Sequence, residues 1–299
     1  MYKTWMARGA ATQILALTAA MLVFIPASVF AQVDLSGQWD TKRHEDAPER
    51  GPGPEIGDYT GLPINAEARA RADAWDSEKW TQPEHECEPH PADYGARGGG
   101  NMTVWHDMNP VTLEVSAWHT EMTWMQPKRI IYMDNRPHPP EDAVHTWQGF
   151  STGQWVADML RVQTTHLKEG WIRRNGLPRS DRATLVEYYI RHGDYFTLVT
   201  IVKDPVYLTE PLIRTSNMML NLGYQPNAST CIPSIEIDHP KGWVAFHLPG
   251  ANPYLNEYSE KYGIALEAAR GGAETMYPEY IEKMKKMPVP VMENKSSGN

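Results

Sequence analysis

The sequence predicts a mainly β protein, built as a single antiparallel barrel or curved sheet with short peripheral helices. Three observations predict this fold. The centre of the chain contains runs rich in β-branched and aromatic residues, short turns join these runs, and no internal repeat or flexible linker divides the chain. Successive hairpins without intervening helices indicate an antiparallel sheet, and closing the sheet into a barrel removes its edges.

The predicted strands follow one another through most of the chain. The clearest hairpin joins residues 183–191 to 195–203 through His192-Gly193-Asp194, and both arms are rich in the Val, Ile, Thr and Tyr residues that favour strands. Asn109-Pro110 marks the turn of an earlier hairpin. The predicted strands cover residues 34–40, 102–108, 112–125, 129–134, 155–166 with a corner at 157–158, 183–191, 195–203 and 243–248.

Short helices are predicted at the margins of the sheet. Asn65 can cap a helix that runs to Trp75, with Glu67 in its positively polarised first turn. Residues 256–269 and 278–287 are expected to form short terminal helices.

The first 31 residues have the pattern of a secretory signal peptide. Lys3 and Arg8 precede an apolar run at 14–24, and Val29-Phe30-Ala31 offers a cleavage site. The run is shorter than the roughly 20 apolar residues of a spanning helix. We therefore expect residues 32–299 to be one exported domain, periplasmic or secreted, with no membrane span in the mature chain.

Composition narrows the class of partner. The 299 residues contain 28 Lys and Arg against 37 Asp and Glu, a net charge of -9, which argues against nucleic acid. Eleven Trp and 14 Tyr against five Phe favour rings that line a cavity for a small molecule, although core packing explains them equally well. Oligomeric state is left open.

Export would place the two cysteines in an oxidising compartment. Cys87 and Cys231 are expected to form a disulfide. The alternative is metal ligation, because His85 and His90 flank Cys87. No H-x-H or H-E-x-x-H spacing supports a metal, and Gly98-Gly99-Gly100 lacks the strand and helix of a phosphate loop. We expect neither metal nor organic cofactor.

Three stretches of the chain carry a resemblance to a known family. They are Arg-Ile-Ile-Tyr-Met-Asp-Asn-Arg-Pro-His-Pro-Pro at 129–140, His-Thr-Trp-Gln-Gly-Phe-Ser-Thr-Gly-Gln-Trp at 145–155, and Pro-Arg-Ser-Asp-Arg-Ala-Thr-Leu-Val-Glu at 178–187. They resemble an uncharacterised family of secreted bacterial proteins with a lipocalin-like fold. The resemblance implies a lipocalin-like barrel and an exported location, and it implies no reaction. Gln163 and Arg179 depart from the family's usual Asp and His.

The proline-rich turn supplies the first candidate site. Prolines on both sides hold His138 in an extended conformation, and His145 and Trp147 follow. We expect these three side chains to border the main cavity, with Asp134 or Glu187 close enough to fix an imidazole tautomer. The alternative is a stiff surface turn.

Other candidates lie within the predicted strands. His119 and His166 become catalytic or ligand-binding groups if their faces point inward, and structural residues otherwise. Glu187 and Arg129 form either a binding-site ion pair or an exposed cross-strand pair. Trp118 is a candidate ligand-binding ring.

One motif resembles a catalytic signature without its context. Gly149-Phe150-Ser151-Thr152-Gly153 fits G-x-S-x-G, but the residues after Gly153 alternate like a strand, whereas a nucleophile elbow requires a helix there. A turn that enters a strand is the better interpretation.

Two functions remain compatible with the sequence. The first is a periplasmic enzyme acting on a small, partly apolar or aromatic organic molecule by His/carboxylate acid–base chemistry, of hydrolase, lyase or isomerase type. The alternative is a non-catalytic lipocalin-like carrier. An enzyme requires titratable groups that converge on one point, whereas a carrier requires a mostly apolar cavity.

Overall fold

The computed structural model describes residues 33–42, 54–96, 101–223, 231–232 and 238–290. The signal peptide predicted at 1–31 and the Gly98-Gly99-Gly100 run lie outside these ranges. Within them, no helix is long and apolar enough to cross a membrane.

Nine of the strands in the described residues close into a barrel, as the sequence predicts. Its strands are hydrogen-bonded in the order β1-β11-β10-β9-β6-β5-β4-β3-β2, and β7 and β8 form a separate two-stranded ribbon. The strands are β1 (Gly37–Thr41), β2 (Met102–Met108), β3 (Val115–Met122), β4 (Lys128–Tyr132), β5 (Phe150–Val156), β6 (Met159–Thr165), β7 (Gly170–Trp171), β8 (Pro178–Arg179), β9 (Thr184–His192), β10 (Tyr195–Lys203) and β11 (Leu212–Leu220).

The first strand closes the barrel because it pairs on both sides. Trp39 lies opposite Leu220 on β11 and opposite Met102 on β2. The Trp39 side chain is fully buried and packs on Phe196, with ring centroids 5.0 Å apart. Closure therefore leaves neither β1 nor β11 as an open edge.

One pair of neighbouring strands departs from the antiparallel pattern. β4 and β5 run parallel and pair at Ile131↔Ser151 and Tyr132↔Thr152. A parallel pair needs a long connection, which residues 133–149 provide. This segment contains the proline-rich turn.

The helices are short and are not part of the barrel sheet. The Asn65 side chain accepts a hydrogen bond from the Ala68 amide at 3.0 Å and so begins the first helix, as predicted. The helices are α1 (Ala66–Asp73), α2 (Ala92–Gly95), α3 (Glu257–Tyr262), α4 (Leu266–Ala269) and α5 (Pro278–Met284), with 3-10 turns at Ser77–Thr81, Pro83–His85 and Ala273–Met276.

Helix α1 contributes to an apolar cluster with the inward-facing residues of two barrel strands. Ala68 and Ala72 are fully buried in it with Leu185 and Val202 from the barrel strands. The small side chains of Ala68 and Ala72 allow close packing of α1 in this cluster.

The structure differs from the predicted elements in two places. Residues 243–248 form no sheet strand, and their β contact is an isolated bridge between Trp75 and Phe246. β11 was not predicted: Arg214 and Ser216 are buried while Ile213 is 62% exposed, so the strand does not show the apolar alternation that identifies a half-buried strand.

Candidate functional site

The disulfide between Cys87 and Cys231 is present, with their Cα atoms 5.6 Å apart. Both thiols are therefore used, and the metal-ligation alternative for Cys87 is excluded. Among the described residues, no three or more His, Cys, Asp or Glu side chains are grouped so that they could hold a metal ion.

A tryptophan-rich cleft lies beside this disulfide. Two neighbouring hollows of about 420 and 370 Å3 have Trp80, His85, Glu88 and Trp171 in common in their walls. We refer to the two hollows together as the aromatic cleft. Their size is that of a small-molecule site.

The rings of the aromatic cleft hold one another in fixed orientations. Trp80 contacts Trp75 and Trp171 at centroid distances of 5.6 and 5.7 Å. Trp171 in turn packs edge-to-face on Tyr94 at 4.5 Å and on His90 at 5.6 Å. Tilted and edge-to-face contacts of this kind are favourable beyond the area they bury, so the wall is largely preformed.

A histidine–carboxylate dyad faces the cleft. The 3-10 turn Pro83–His85 and the three-residue spacing bring His85 Nδ1 to 2.9 Å from Glu88 Oε1. The two side chains are 24% and 19% exposed. Because the carboxylate accepts the Nδ1 proton, neutral His85 carries its lone pair on Nε2. No described residue hydrogen-bonds that nitrogen.

A second imidazole of the cleft is held in the neutral form. Burial, followed by the positive charge of Arg174, lowers the pKa of His90 to about 4. Neutral His90 has one N–H donor and one acceptor nitrogen, and neither has a hydrogen-bond partner within the described part of the chain. The cleft therefore contains an oriented base and an uncharged imidazole.

The residues that follow the dyad are anchored to neighbouring segments. The His90 carbonyl accepts a hydrogen bond from Gln148 Nε2 at 2.7 Å, and the Trp147 carbonyl accepts one from the Ala92 amide at 3.1 Å. Asp93 and Arg179 form a fully buried ion pair, with Arg179 Nε 2.9 Å from Asp93 Oδ1. These contacts restrict the motion of the dyad.

Glu187 and Arg129 lie inside the barrel rather than in the aromatic cleft. Arg129 Nη2 is 2.5 Å from Glu187 Oε2, and the two side chains are 5% and 1% exposed. Arg129 Nε also donates to Ser151 Oγ at 2.9 Å. Burial, followed by the charge of Glu187, raises the pKa of the neighbouring Tyr189 hydroxyl. Glu187 is thus engaged by a buried guanidinium and contacts no histidine of the described residues.

His138 and His166 are brought together by threonine hydroxyls. His166 Nε2 donates to the Pro140 carbonyl at 2.8 Å, so the neutral ring accepts from the Thr165 hydroxyl at Nδ1, at 2.7 Å. His138 Nδ1 then donates to Thr165 Oγ1 at 2.7 Å, and its Nε2 accepts from Thr152 at 2.9 Å. Burial and the nearby His166 lower the pKa of His138. This chain fixes the tautomers of both rings.

The expected cavity-bordering group does not form as a whole. His145 packs on the His166 ring at 5.2 Å and donates from Nδ1 to the Leu167 carbonyl at 2.9 Å. Trp147 lies in the wall of the aromatic cleft and of a further cleft beside β4 and β5, but His138 and His145 line neither of them. Asp134 is exposed and bonded to Arg136, which lowers the pKa of its carboxyl to about 2.

The remaining candidates lie on opposite sides of the barrel wall. His119 stacks on Trp105 at 5.0 Å on the outer face, and its Nε2 is 2.8 Å from Asp107 Oδ2. Trp118 is buried inside the barrel, 4.9 Å from the His106 ring, and is a core residue. Ser151 of the G-x-S-x-G motif lies within β5, which confirms that the motif enters a strand.

His85, Glu88 and His90 were not among the candidate catalytic residues. The stretch His85-Glu86-Cys87-Glu88-Pro89-His90 predicts a disulfide or a metal site, and this prediction gives its carboxylates no role. The available signal was the i,i+3 spacing of His85 and Glu88, which brings two side chains to the same side of a helical turn.

No known protein family matches the chain, and neither the curated proteins nor the solved structures contain a significant relative. The proposals below therefore depend on the geometry of this chain alone.

Proposed function

We propose that the protein is an exported enzyme that acts on a small, partly apolar or aromatic organic molecule by acid–base chemistry in the aromatic cleft. The observation that carries this proposal is the His85–Glu88 dyad in the wall of a tryptophan-lined cleft that also contains neutral His90. A titratable pair in a preformed apolar cleft is the usual composition of an active site.

The dyad supplies a base whose geometry is set before substrate binds. His85 Nε2 removes a proton from the substrate or from a water molecule, and Glu88 stabilises the imidazolium that results. His85 returns the proton to the product or leaving group. His90 donates or accepts a hydrogen bond without carrying charge near neutral pH. This chemistry suits a hydrolase, a lyase or an isomerase.

The compartment proposed for the enzyme is the periplasm or the exterior of the cell. The disulfide supports an oxidising compartment, and the export pattern of residues 1–31 agrees with it. The proposed relation to secreted lipocalin-like proteins is supported by the closed barrel, which is the architecture that the resemblance implies.

Exchange of the α-hydrogens of phenylacetone in D2O tests the base directly, because it requires proton abstraction and no complete reaction. NMR would measure exchange by the wild type, His85→Asn, Glu88→Gln and His119→Asn. We expect His85→Asn to lower the enzyme-dependent rate by about 10²–10⁴-fold. Glu88→Gln should retain a fraction of the rate, because an amide can still orient the ring.

His119→Asn is the matched control. His119 also lies against a carboxylate, at 2.8 Å from Asp107 Oδ2, but on the outer face of the barrel. The His119→Asn substitution should therefore leave the exchange rate unchanged. Equal losses in His85→Asn and His119→Asn, with equal thermal stability, would contradict the assignment.

A carrier function is the second candidate, and the tryptophan content of the walls favours it. Trp80, Trp147 and Trp171 offer ring-stacking surface whether or not chemistry follows. Saturable quenching of tryptophan fluorescence by phenylacetone, without any exchange above the His85→Asn level, would select the carrier.

A further inference from the structure

A second cleft enters the barrel through a gap in its wall. β4 and β5 pair at Ile131↔Ser151 and Tyr132↔Thr152, and no further pairing between them toward their starts is present in the described residues. A cleft of about 540 Å3 opens at this place. We refer to it as the side cleft.

The side cleft reaches the polar interior of the barrel. Arg129 and Ser151, both buried, belong to its lining. Arg129 Nε donates to Ser151 Oγ at 2.9 Å, and Arg129 Nη2 donates to both Thr164 Oγ1 and Glu187 Oε2. The floor is therefore a rigid, hydrogen-bonded network.

One hydroxyl hydrogen of this floor is left without an acceptor. Ser151 Oγ and Thr164 Oγ1 are 2.9 Å apart and share one hydrogen bond, which uses one of their two hydrogens. Both oxygens also accept from Arg129. No acceptor for the second hydrogen is found among the residues that the structure describes. When Thr164 donates to Ser151, the Ser151 hydrogen is available to an occupant of the side cleft.

Charge at the floor favours a neutral occupant. The Arg129 guanidinium is already balanced by Glu187, so an anion would place a second negative charge beside a buried carboxylate. Lys128 at the rim is exposed and lies 3.5 Å from Glu121. A cation would meet both Arg129 and Lys128.

The walls of the side cleft suit rings. Tyr132 and Phe150 lie side by side with centroids 5.5 Å apart, and Trp147, Met125 and Ile130 complete the apolar surface. Aromatic and thioether side chains bind rings well.

We propose that the side cleft is a second binding site, for a neutral ring-bearing molecule whose ketone, ether or hydroxyl oxygen accepts a hydrogen bond from Ser151. The site takes no part in the chemistry assigned to the aromatic cleft and does not depend on it.

Three two-ring probes test the required chemistry. Benzophenone carries a neutral carbonyl, diphenylmethane lacks the oxygen, and diphenylacetate adds a negative charge. Calorimetry on the full chain should show saturable 1:1 binding of benzophenone, at least about fivefold tighter than diphenylmethane, because one hydrogen bond is worth about 1 kcal/mol. Diphenylacetate should bind more weakly than benzophenone.

Two pairs of variants locate the binding. Ile130→Trp should block the mouth, whereas Ile213→Trp, on an exposed position of β11, should leave binding unchanged. Ser151→Ala should abolish the preference for benzophenone over diphenylmethane, whereas Ser216→Ala, another buried serine of the barrel, should preserve it. Thermal denaturation identifies any variant that fails to fold, and the Ile130→Trp comparison does not depend on the serine variants.

Photo-crosslinking separates this proposal from the proposed function. Irradiated benzophenone should form adducts within residues 128–132 or 148–151, which line the side cleft but not the aromatic cleft. Adducts at Trp80 or Trp171 with none in those two segments, or an unchanged affinity in Ile130→Trp, would overturn the side-cleft proposal and leave the His85 proposal standing. Loss of exchange activity in His85→Asn with unchanged benzophenone binding would show that the two sites are independent.

Discussion

The interior of the barrel and the aromatic cleft each contain an ionisable pair. The two pairs differ in how deeply they are buried and in the partner that each carboxylate has. Glu187 in the barrel is 1% exposed and engaged by Arg129, whereas Glu88 in the cleft is 19% exposed and engaged by His85 alone. The interior pair neutralises two charges that are buried away from water. The cleft pair leaves one imidazole nitrogen available. A titratable group that is partly exposed and has a single partner can exchange a proton with a substrate.

The largest effect is expected when one charge of the ion pair inside the barrel is removed. Glu187→Gln leaves the Arg129 charge buried without its counter-ion, so we expect the free energy of unfolding to fall by about 3–5 kcal/mol, measured by urea denaturation. The double variant Arg129→Met/Glu187→Met should recover most of this loss, because neither charge remains. A loss below about 1 kcal/mol in Glu187→Gln, typical of an exposed ion pair, would show that the interior is wetter than the structure indicates.

The next effect tests His90 through pH. The pKa of His90 is about 4 in the folded protein and about 6.5 in an unfolded chain. Below pH 6.5 the unfolded chain binds a proton that the folded protein does not, so the stability contributed by neutral His90 falls as pH decreases and levels off near pH 4.

Over this range the loss attributable to His90 is about 3 kcal/mol. The measurement is the difference in unfolding free energy between the wild type and His90→Asn at pH 7, 5.5 and 4. As pH falls, the wild type should lose stability relative to His90→Asn. A difference independent of pH would mean that His90 titrates in the folded protein as it does in water.

A smaller loss of stability is expected when the hydrogen bonds between the two histidines beside the proline-rich turn are removed. Thr165→Val removes the hydroxyl that accepts from His138 and donates to His166, and should destabilise the protein by about 1–2 kcal/mol. Thr197→Val is the control, because its hydroxyl makes a hydrogen bond to Asn217 Oδ1 in a different part of the barrel. NMR spectra of His138 and His166 should change tautomer signals in Thr165→Val and stay constant in Thr197→Val.

The smallest effect concerns Asp134, an exposed catalytic candidate. Its partner Arg136 is exposed as well, and such pairs contribute little to stability. Asp134→Asn should leave both the melting temperature and phenylacetone exchange unchanged. A clear loss of exchange in this variant would indicate that the proline-rich turn belongs to the active site.

Local sequence patterns were reliable where one strand face is apolar. Residues 195–203 and 102–108 form strands with the predicted bounds, and Ala157-Asp158 turns between β5 and β6. The sequence pattern does not predict β11, because Arg214 and Ser216 face a polar barrel interior. Alternation of apolar and polar residues identifies a strand only when the inner face is apolar.

The sequence by itself determined the β class of the fold and the capped helix at Asn65, because each depends on local periodicity or local hydrogen bonding. It favoured a disulfide between Cys87 and Cys231 over metal ligation, and the structure shows that disulfide. The tertiary structure decided which charged groups are buried and which are accessible. His119 and His85 each lie within 3 Å of a carboxylate, yet the first is on the outer face and the second lines a cleft. That difference depends on the direction of a strand face and on the walls around it, which residues distant in the chain provide.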